Sequence, residues 1–353
     1  MQKMVVQLKK TDWYDRFFSQ RKILVTGGTG SIGSELVKSL LHHGVTRVVV
    51  LSKDDSKQYM MKQRLISKEN ISFILGDVRE YETLKEATRG MDLVFHTAAL
   101  KQIGICEDNP KEAILTNTMG TVNIIRACLE NRVQKLINIS TDKAVHPTSI
   151  MGATKFLSEK LIQEASRRPD VQTRFCSIRF GNVLNSRGSV IPLWLEQYRS
   201  GQPLQVTDLA MTRFAMTIPQ AVELIKESAF LCQGGETFIF KMKSVRLGDL
   251  VQAMKAVLSD CNMNGAQFVL TGPRPGEKSF EQLLFADEAK RLFENEQLYV
   301  VLPHQSSSTP QARFKRARHN EYRSDLAQKW SVPELVALLR PVIKQSLGDE
   351  TNG

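Results

Sequence analysis

The sequence predicts an α/β fold, a doubly wound parallel sheet with a smaller C-terminal lobe, and two observations carry that expectation. Short β-branched runs alternate with helical apolar patterns through the first half of the chain, the order that builds a parallel sheet covered on both faces. The first of those runs leads directly into a turn with glycine at every third position. Such a turn lets the backbone bend tightly and approach another group closely.

Residues 21–26 form the first expected strand, and Gly27, Gly30 and Gly33 punctuate the turn that follows. Residues 34–41 place apolar side chains at 36, 37, 40 and 41, the spacing of one helical face, and Gly44 closes the helix. In this strand-turn-helix setting Gly27 permits the bend, Gly30 lets backbone amides reach a pyrophosphate, and Gly33 lets helix and sheet pack closely. That is a Rossmann-type dinucleotide site with the spacing GxxGxxG. The second strand, 47–51, ends in Ser52 and Lys53 where an acidic residue would grip the ribose of NAD. A hydroxyl and an ammonium suit a 2′-phosphate, so NADP is expected over NAD, with Asp54 close enough to contact ribose. Strands at 72–75, 93–96 and 135–139 and a helix at 120–131 continue the alternation. Functional groups then belong on the loops beyond the strands' carboxyl ends, making Asp77 and the Ala98-Ala99 turn candidate neighbours of adenine and ribose. His96 reads as a packed strand residue, because no second ligand stands at metal-binding spacing and no HExxH occurs.

Composition bounds the remaining possibilities. With 353 residues, 42% hydrophobic and 24% charged, the chain has ample material for a core. Its five cysteines are dispersed without a CxxC pair, which suggests neither a disulfide framework nor zinc and fits a reducing cytoplasm. Residues 1–10 lack the apolar run of an export signal, and no run of about 18 apolar residues occurs, so neither export nor a membrane span is expected. The net charge of +11 raises nucleic acid as a partner. Against that, the densest basic cluster, Arg313, Lys315, Arg316 and Arg318, interleaves only Phe314, and a solvated face or an oligomer interface explains it.

Pro192, Pro203, Pro219, Pro273 and Pro275 break the second half into short segments, as in a smaller lobe over the sheet's carboxyl edge. The expected division is an N-terminal extension, 1–20, whose Trp13, Tyr14, Phe17 and Phe18 pack on the first lobe or a neighbouring subunit. A dinucleotide domain follows at 21–180, then a substrate lobe at 181–300 from which the chain returns to the core, and a C-terminal extension at 301–353. A capped helix is expected at 331–339, with Pro333 in its first turn.

Several separated motifs go further: Thr26-Gly27-Gly28-Thr29-Gly30-Ser31-Ile32-Gly33, Gly76-Asp77-Val78-Arg79, Ala98-Ala99-Leu100-Lys101, Ser140-Thr141-Asp142-Lys143, Arg179-Phe180-Gly181-Asn182-Val183, Ser186-Arg187-Gly188-Ser189-Val190, Met211-Thr212-Arg213-Phe214 and Arg274-Pro275-Gly276-Glu277-Lys278. In this order they closely resemble the extended short-chain dehydrogenase/reductases, and within them the UDP-N-acetylglucosamine 4,6-dehydratases of bacterial polysaccharide and flagellin-sugar biosynthesis. The resemblance covers about residues 22–278 and implies a homo-oligomer working in bacterial surface-sugar synthesis. It implies cofactor contacts from Gly27, Thr29, Gly30, Ser31 and Ile32, from Ser52, Lys53, Asp77 and Val78, and from Ala98, Ala99, Lys101, Asn117 and Lys155. For the UDP-sugar it implies Lys101, Asn182, Val190, Arg213, Arg274 and Glu277, where guanidinium forks suit pyrophosphate and a carboxylate suits ribose hydroxyls.

The implied chemistry oxidises sugar carbon 4, removes the carbon 5 proton, expels the carbon 6 hydroxyl and returns the hydride. By resemblance Thr141 holds the carbon 4 hydroxyl, Asp142 protonates the departing oxygen and Lys143 takes the carbon 5 proton. Where relatives carry a Tyr four residues before Lys155, this chain has Met151. A thioether exchanges no proton, so the oxidation base falls to Lys155, to a water held by Thr141, or to Lys143. Lacking a phenol to reprotonate oxygen 4, the site is expected to favour a 4-keto-6-deoxy product over a 5,6-ene that keeps its 4-hydroxyl. A nucleotide-sugar 4-epimerase and a catalytically silent NADP-binding regulator are the alternatives.

Overall fold

The computed structural model describes residues 10–263, 265–304 and 314–348; the opening nine residues, where no export signal is expected, and Arg313 of the basic cluster lie outside them. Six strands come first: β1 (Lys22–Thr26), β2 (Arg47–Ser52), β3 (Ile71–Leu75), β4 (Leu93–His96), β5 (Lys135–Ile139) and β6 (Arg174–Arg179). They pair in parallel in the order β3-β2-β1-β4-β5-β6. Their connections carry α2 (Ser31–Leu40), α3 (Asp55–Arg64), α4 (Tyr81–Ala87), α5 (Ile103–Asp108), α6 (Pro110–Ala113), α7 (Gly120–Glu130) and α8 (Ile150–Ser166), with α1 (Lys10–Phe18) preceding β1. Central strands such as β1 and β4 are buried on nearly every residue, which is why their sequences read as continuous apolar runs rather than alternating ones. The strand order reverses between β1 and β4, and there the loops part to leave a crevice.

Beyond β6 the chain leaves the sheet and builds a second lobe. β7 (Asn182–Val183), α9 (Val190–Arg199), β8 (Leu204–Val206) and β9 (Thr212–Met216) lead to α10 (Ile218–Leu231), which carries the chain back to β10 (Thr237–Phe240), parallel beside β6. β11 (Ser244–Arg246), α11 (Leu247–Asp260) and β12 (Phe268–Leu270) return to the lobe. Its small sheets, β11-β9-β7 and β12-β8, surround a core that includes Trp194, Met254 and Leu258. β13 (Leu292–Glu294), β14 (Leu298–Val301) and β15 (Lys315–Arg316) then extend the main sheet antiparallel, to ten strands. The last helix, α12 (Val332–Gly348), runs past Pro341 and well beyond the expected 331–339. Leu335, Leu339 and Ile343 are buried in the lobe core, and that packing outweighs the proline's cost to the helix.

Two anchors hold the chain's ends and returning segments to the main sheet. Tyr14 and Phe18 of α1 are buried in the main core, and Phe17 meets Phe230 of α10 edge to face at 5.5 Å. Arg179, at the end of β6, is fully buried: Nε and Nη2 donate to Glu159 of α8 at 2.6 to 3.0 Å, and both Nη atoms donate to Glu288 at 2.7 and 2.9 Å. The guanidinium thus ties the helix bearing Lys155 to the C-terminal part of the chain, and its burial is offset by two carboxylates.

Candidate active site

A cavity of about 580 Å³ opens over the carboxyl ends of β1, β4 and β5, and shares Gly30, Thr97, Ala99 and Leu100 with a second cavity of about 240 Å³. Gly27 has φ +64°, and a Cβ there would meet the Ala98 backbone at 2.7 Å, so the turn accepts only glycine. Gly33 is as constrained, since its Cβ would meet Gly27 O at 2.4 Å. Gly30 caps α2 without a side-chain hydrogen bond, leaving the helix's first amides facing the crevice. This cradle fits a dinucleotide pyrophosphate.

The smaller cavity gathers Thr29, Ser52, Lys53, Asp77, Val78 and Ala98. Ser52 is buried, with Oγ 2.8 Å from Thr29 Oγ1 and accepting from Asp54 N at 3.2 Å, so its hydroxyl already braces the loop. Lys53 projects outward with a half-exposed side chain and Nζ 3.7 Å from Asp77 Oδ2. Burial acts upward on Asp77, but Arg79 and Lys53 outweigh it and hold the carboxyl below its ordinary range. Arg187, which sequence reasoning left without a role, arrives from the second lobe: its Nη2 donates to Thr29 O and its amide to Ser31 Oγ at 3.0 Å. Lys101 Nζ approaches Ser186 Oγ at 3.4 Å beside it. The loop at 186–189 therefore straps the glycine turn to the second lobe.

At the base of the larger cavity stand Thr141, Lys143, Met151 and Lys155. Thr141 caps a single turn, Asp142–Ala144, and its Oγ1 donates to Asp142 Oδ1 at 2.9 Å. Asp142 is fully buried, and Lys143 Nζ donates to its Oδ1 at 3.0 Å and to Asn182 Oδ1 at 3.2 Å. Burial drives Lys143 downward, yet Asp142 and Glu281 overcome it, and the net direction is upward. Met151 and Lys155 share the first turns of α8, which Ser149 caps through Gly152 N. Met151 packs with Cys106 and Ala113, and its thioether has no proton to give. Lys155 is 5% exposed and makes no hydrogen bond to any described residue. Burial pushes it down to about 8 against the opposing charge of Glu159. His96 packs in β4 with Nδ1 2.8 Å from Thr26 Oγ1, and burial together with Lys155 pushes it down to about 3, so it stays neutral.

The expected UDP-sugar residues divide. Asn182 and Lys101 line the main cavity; Arg213 Nη2 donates to Glu277 Oε1 at 3.0 Å, and both line a small adjoining cleft. Val190 begins α9 and Arg274 is exposed, and neither lines these cavities. Asn117 is buried away from them: its side chain bonds the backbone of Leu100 at 2.8 and 3.0 Å and Thr154 Oγ1 at 3.0 Å, bracing the loop after β4. Among the described residues no group of three His, Cys, Asp or Glu could hold a metal ion.

A Rossmann sheet, a GxxGxxG cradle and a second lobe closing over the switch point define an extended short-chain dehydrogenase/reductase. Within that class, the chain belongs to the family described as polysaccharide biosynthesis protein, whose profile matches residues 23–303. An uncharacterized membrane protein of Methanocaldococcus jannaschii is 44% identical over 292 residues, 82% of this chain and 87% of that one. Among the described residues, however, no helix is long and apolar enough to cross a membrane. A UDP-glucose 4-epimerase of Rickettsia rickettsii is 38% identical over 77% of this chain and 80% of its own. The crystal structure of Pen from Bacillus thuringiensis, 38% identical, superposes with a TM-score of 0.84 over 92% of this chain and 99% of Pen.

Proposed function

We propose that the chain is an NADP-dependent 4,6-dehydratase acting on UDP-N-acetylglucosamine or a close relative, in the cytoplasm and as a homo-oligomer. The observation that carries this reading is the Asp142–Lys143 pair, a fully buried carboxylate bonded to a partly buried ammonium that lines the same cavity as Thr141, Met151 and Lys155. Elimination of water needs one base for carbon 5 and one acid for the departing oxygen, and this pair supplies both groups one bond network apart. The glycine cradle would hold NADP with Lys53 toward its 2′-phosphate, and the bound cofactor would supply the hydride chemistry at carbon 4.

The chain's own residues handle the protons. Thr141 orients the carbon 4 hydroxyl, and Lys155, easily deprotonated in its buried position, takes the hydroxyl proton. Lys143 removes the carbon 5 proton and Asp142 protonates the leaving oxygen. Arg213 and Glu277 hold the nucleotide, with Asn182 near the diphosphate. A 4-keto-6-deoxy sugar is the product inferred from Met151, inverted at carbon 5 if Lys143 reprotonates the opposite face; return of hydride to carbon 4 would draw its proton from Lys155 and give the 5,6-ene.

A 4-epimerase is the second reading, favoured by the printed name of the Rickettsia relative. Epimerisation has no leaving hydroxyl and leaves Asp142 without a task. Incubation with UDP-N-acetylglucosamine distinguishes them: the dehydratase gives a product lighter by one water without net consumption of NADP, the epimerase one of unchanged mass. A silent cofactor-binding subunit gives neither.

A further inference from the structure

We propose that Glu281 carries a proton in the working enzyme and that this neutral carboxyl is what frees Lys143 to act as a base. The inference rests on the proton roles proposed for Asp142 and Lys143. Lys143 Nζ faces three acceptors, Asp142 Oδ1 at 3.0 Å, Asn182 Oδ1 at 3.2 Å and Glu281 Oε1 at 3.4 Å. Three acceptors satisfy the three N–H groups of an ammonium and leave no lone pair for a carbon acid. Glu281 is 3% exposed and lines the small cleft behind Lys143, with Arg213, Glu277 and Lys278, rather than the main cavity. It therefore acts through Lys143 and not on the sugar, as a positioning residue.

Two buried carboxyls against one ammonium would leave surplus negative charge out of water, unless one carboxyl keeps its proton. The neighbouring cations do not cancel that surplus cheaply. Arg213 is committed to Glu277, and Lys278 donates to Val145 O at 2.7 Å while standing 3.8 Å from Glu281 Oε2. The hydrogen bonds choose between the carboxyls. Asp142 Oδ1 accepts from both Thr141 and Lys143, whereas Glu281 Oε1 has one longer contact; the second oxygens, Asp142 Oδ2 and Glu281 Oε2, both lack a hydrogen-bond partner among the described residues, so the first oxygens make the difference. Burial, reinforced by Asp142, raises the Glu281 pKa against the pull of Lys143, Arg213 and Lys278.

A neutral Glu281 leaves Asp142 as the single charge opposing Lys143. Passing one proton from Lys143 to Asp142 then gives a neutral amine and a carboxylic acid, the two forms elimination requires. The elimination restores the ion pair: Lys143 gains the carbon 5 proton, the carbon–oxygen bond breaks, and Asp142 gives its proton to the departing hydroxyl, which leaves as water. If Glu281 were ionised, the same proton shift would strand a buried carboxylate without its cation.

The test is the pH profile of kcat for the full chain with NADP and UDP-N-acetylglucosamine. Glu281→Gln is neutral at every pH, so it should keep kcat within about threefold of the native value near neutrality and abolish the alkaline fall that the native protein shows as Glu281 ionises. A loss above about tenfold at unchanged KM, or the same alkaline fall in both proteins, overturns the proposal. Carboxyl ¹³C titration of glutamate-labelled protein reads the same group without turnover, with the signal assigned by its absence from Glu281→Gln and Glu281→Ala. Titration above the ordinary glutamate range supports the proposal, and titration at or below it overturns it. A native protein that neither loses water nor exchanges the carbon 5 hydrogen rejects the dehydratase reading and leaves the ¹³C titration to judge Glu281.

Discussion

The oxidation step should depend on pH through Lys155. Its side chain is buried on α8, has no hydrogen bond to any described residue, and faces Glu159, which Arg179 already engages. Burial moves its titration from the ordinary 10.5 down to about 8. At pH 7 a lysine titrating near 8 is neutral about 9% of the time, and one titrating near 10.5 about 0.03%, so burial enlarges the population of free base roughly 300-fold. The sign follows from the role: the neutral form accepts the carbon 4 hydroxyl proton. The rate of nicotinamide reduction should therefore rise about tenfold per pH unit until about 8 and level off above it. Stopped-flow absorbance after mixing NADP-loaded protein with UDP-N-acetylglucosamine measures that rate. Lys155→Arg, cationic throughout, should lower it about 100- to 1,000-fold. A rate independent of pH between about 6 and 9, or an Arg variant within tenfold of native, refutes the assignment and points to Lys143 or a water on Thr141.

Three further perturbations probe other parts of the account. Arg179→Met leaves Glu159 and Glu288 buried without their partner, and should cost about 3 to 5 kcal/mol in denaturant unfolding; a loss below about 1 kcal/mol would mean that the network relaxes to water. Lys53→Ala should weaken NADP by about 1 to 3 kcal/mol in calorimetric titration and spare NAD, and equal losses for both would show that Lys53 does not read the 2′-phosphate. NMR of the sugar product tests Met151, with a 4-ketone or its hydrate expected from the native chain and a shift toward the 5,6-ene in Met151→Tyr. A vinylic carbon 6 signal without ketone from the native chain would show that another donor, Lys155 first, serves oxygen 4.

What sequence could disclose follows from how far apart the interacting residues stand. The cradle of Gly27, Gly30 and Gly33 was legible because strand, turn and helix are contiguous, and each glycine answers to a local steric demand. β1 to β6 were legible for the same reason, being apolar runs set between helical patterns. Arg187 meets Thr29 across 158 residues, and no local pattern announces that contact. Glu281 follows the Arg274–Lys278 motif closely, yet no local pattern singles it out, and only the fold sets it behind Lys143. Asn117 illustrates the opposite case, since the resemblance implies a cofactor contact while the fold spends both ends of its amide on Leu100 and Thr154. Ser52 likewise gives no local sign that its hydroxyl pairs with Thr29 and accepts from the Asp54 amide.

In the proposed function the Asp142–Lys143 pair removes water from a UDP-sugar after oxidation at carbon 4. Mass spectrometry and NMR of UDP-N-acetylglucosamine incubated in D₂O with the NADP-loaded protein test it most directly. The account predicts a product lighter by one water before isotope correction, with deuterium entering carbon 5 in the native protein and neither event in Lys143→Met. A sugar of unchanged mass inverted at carbon 4, formed equally well by Lys143→Met, would contradict it.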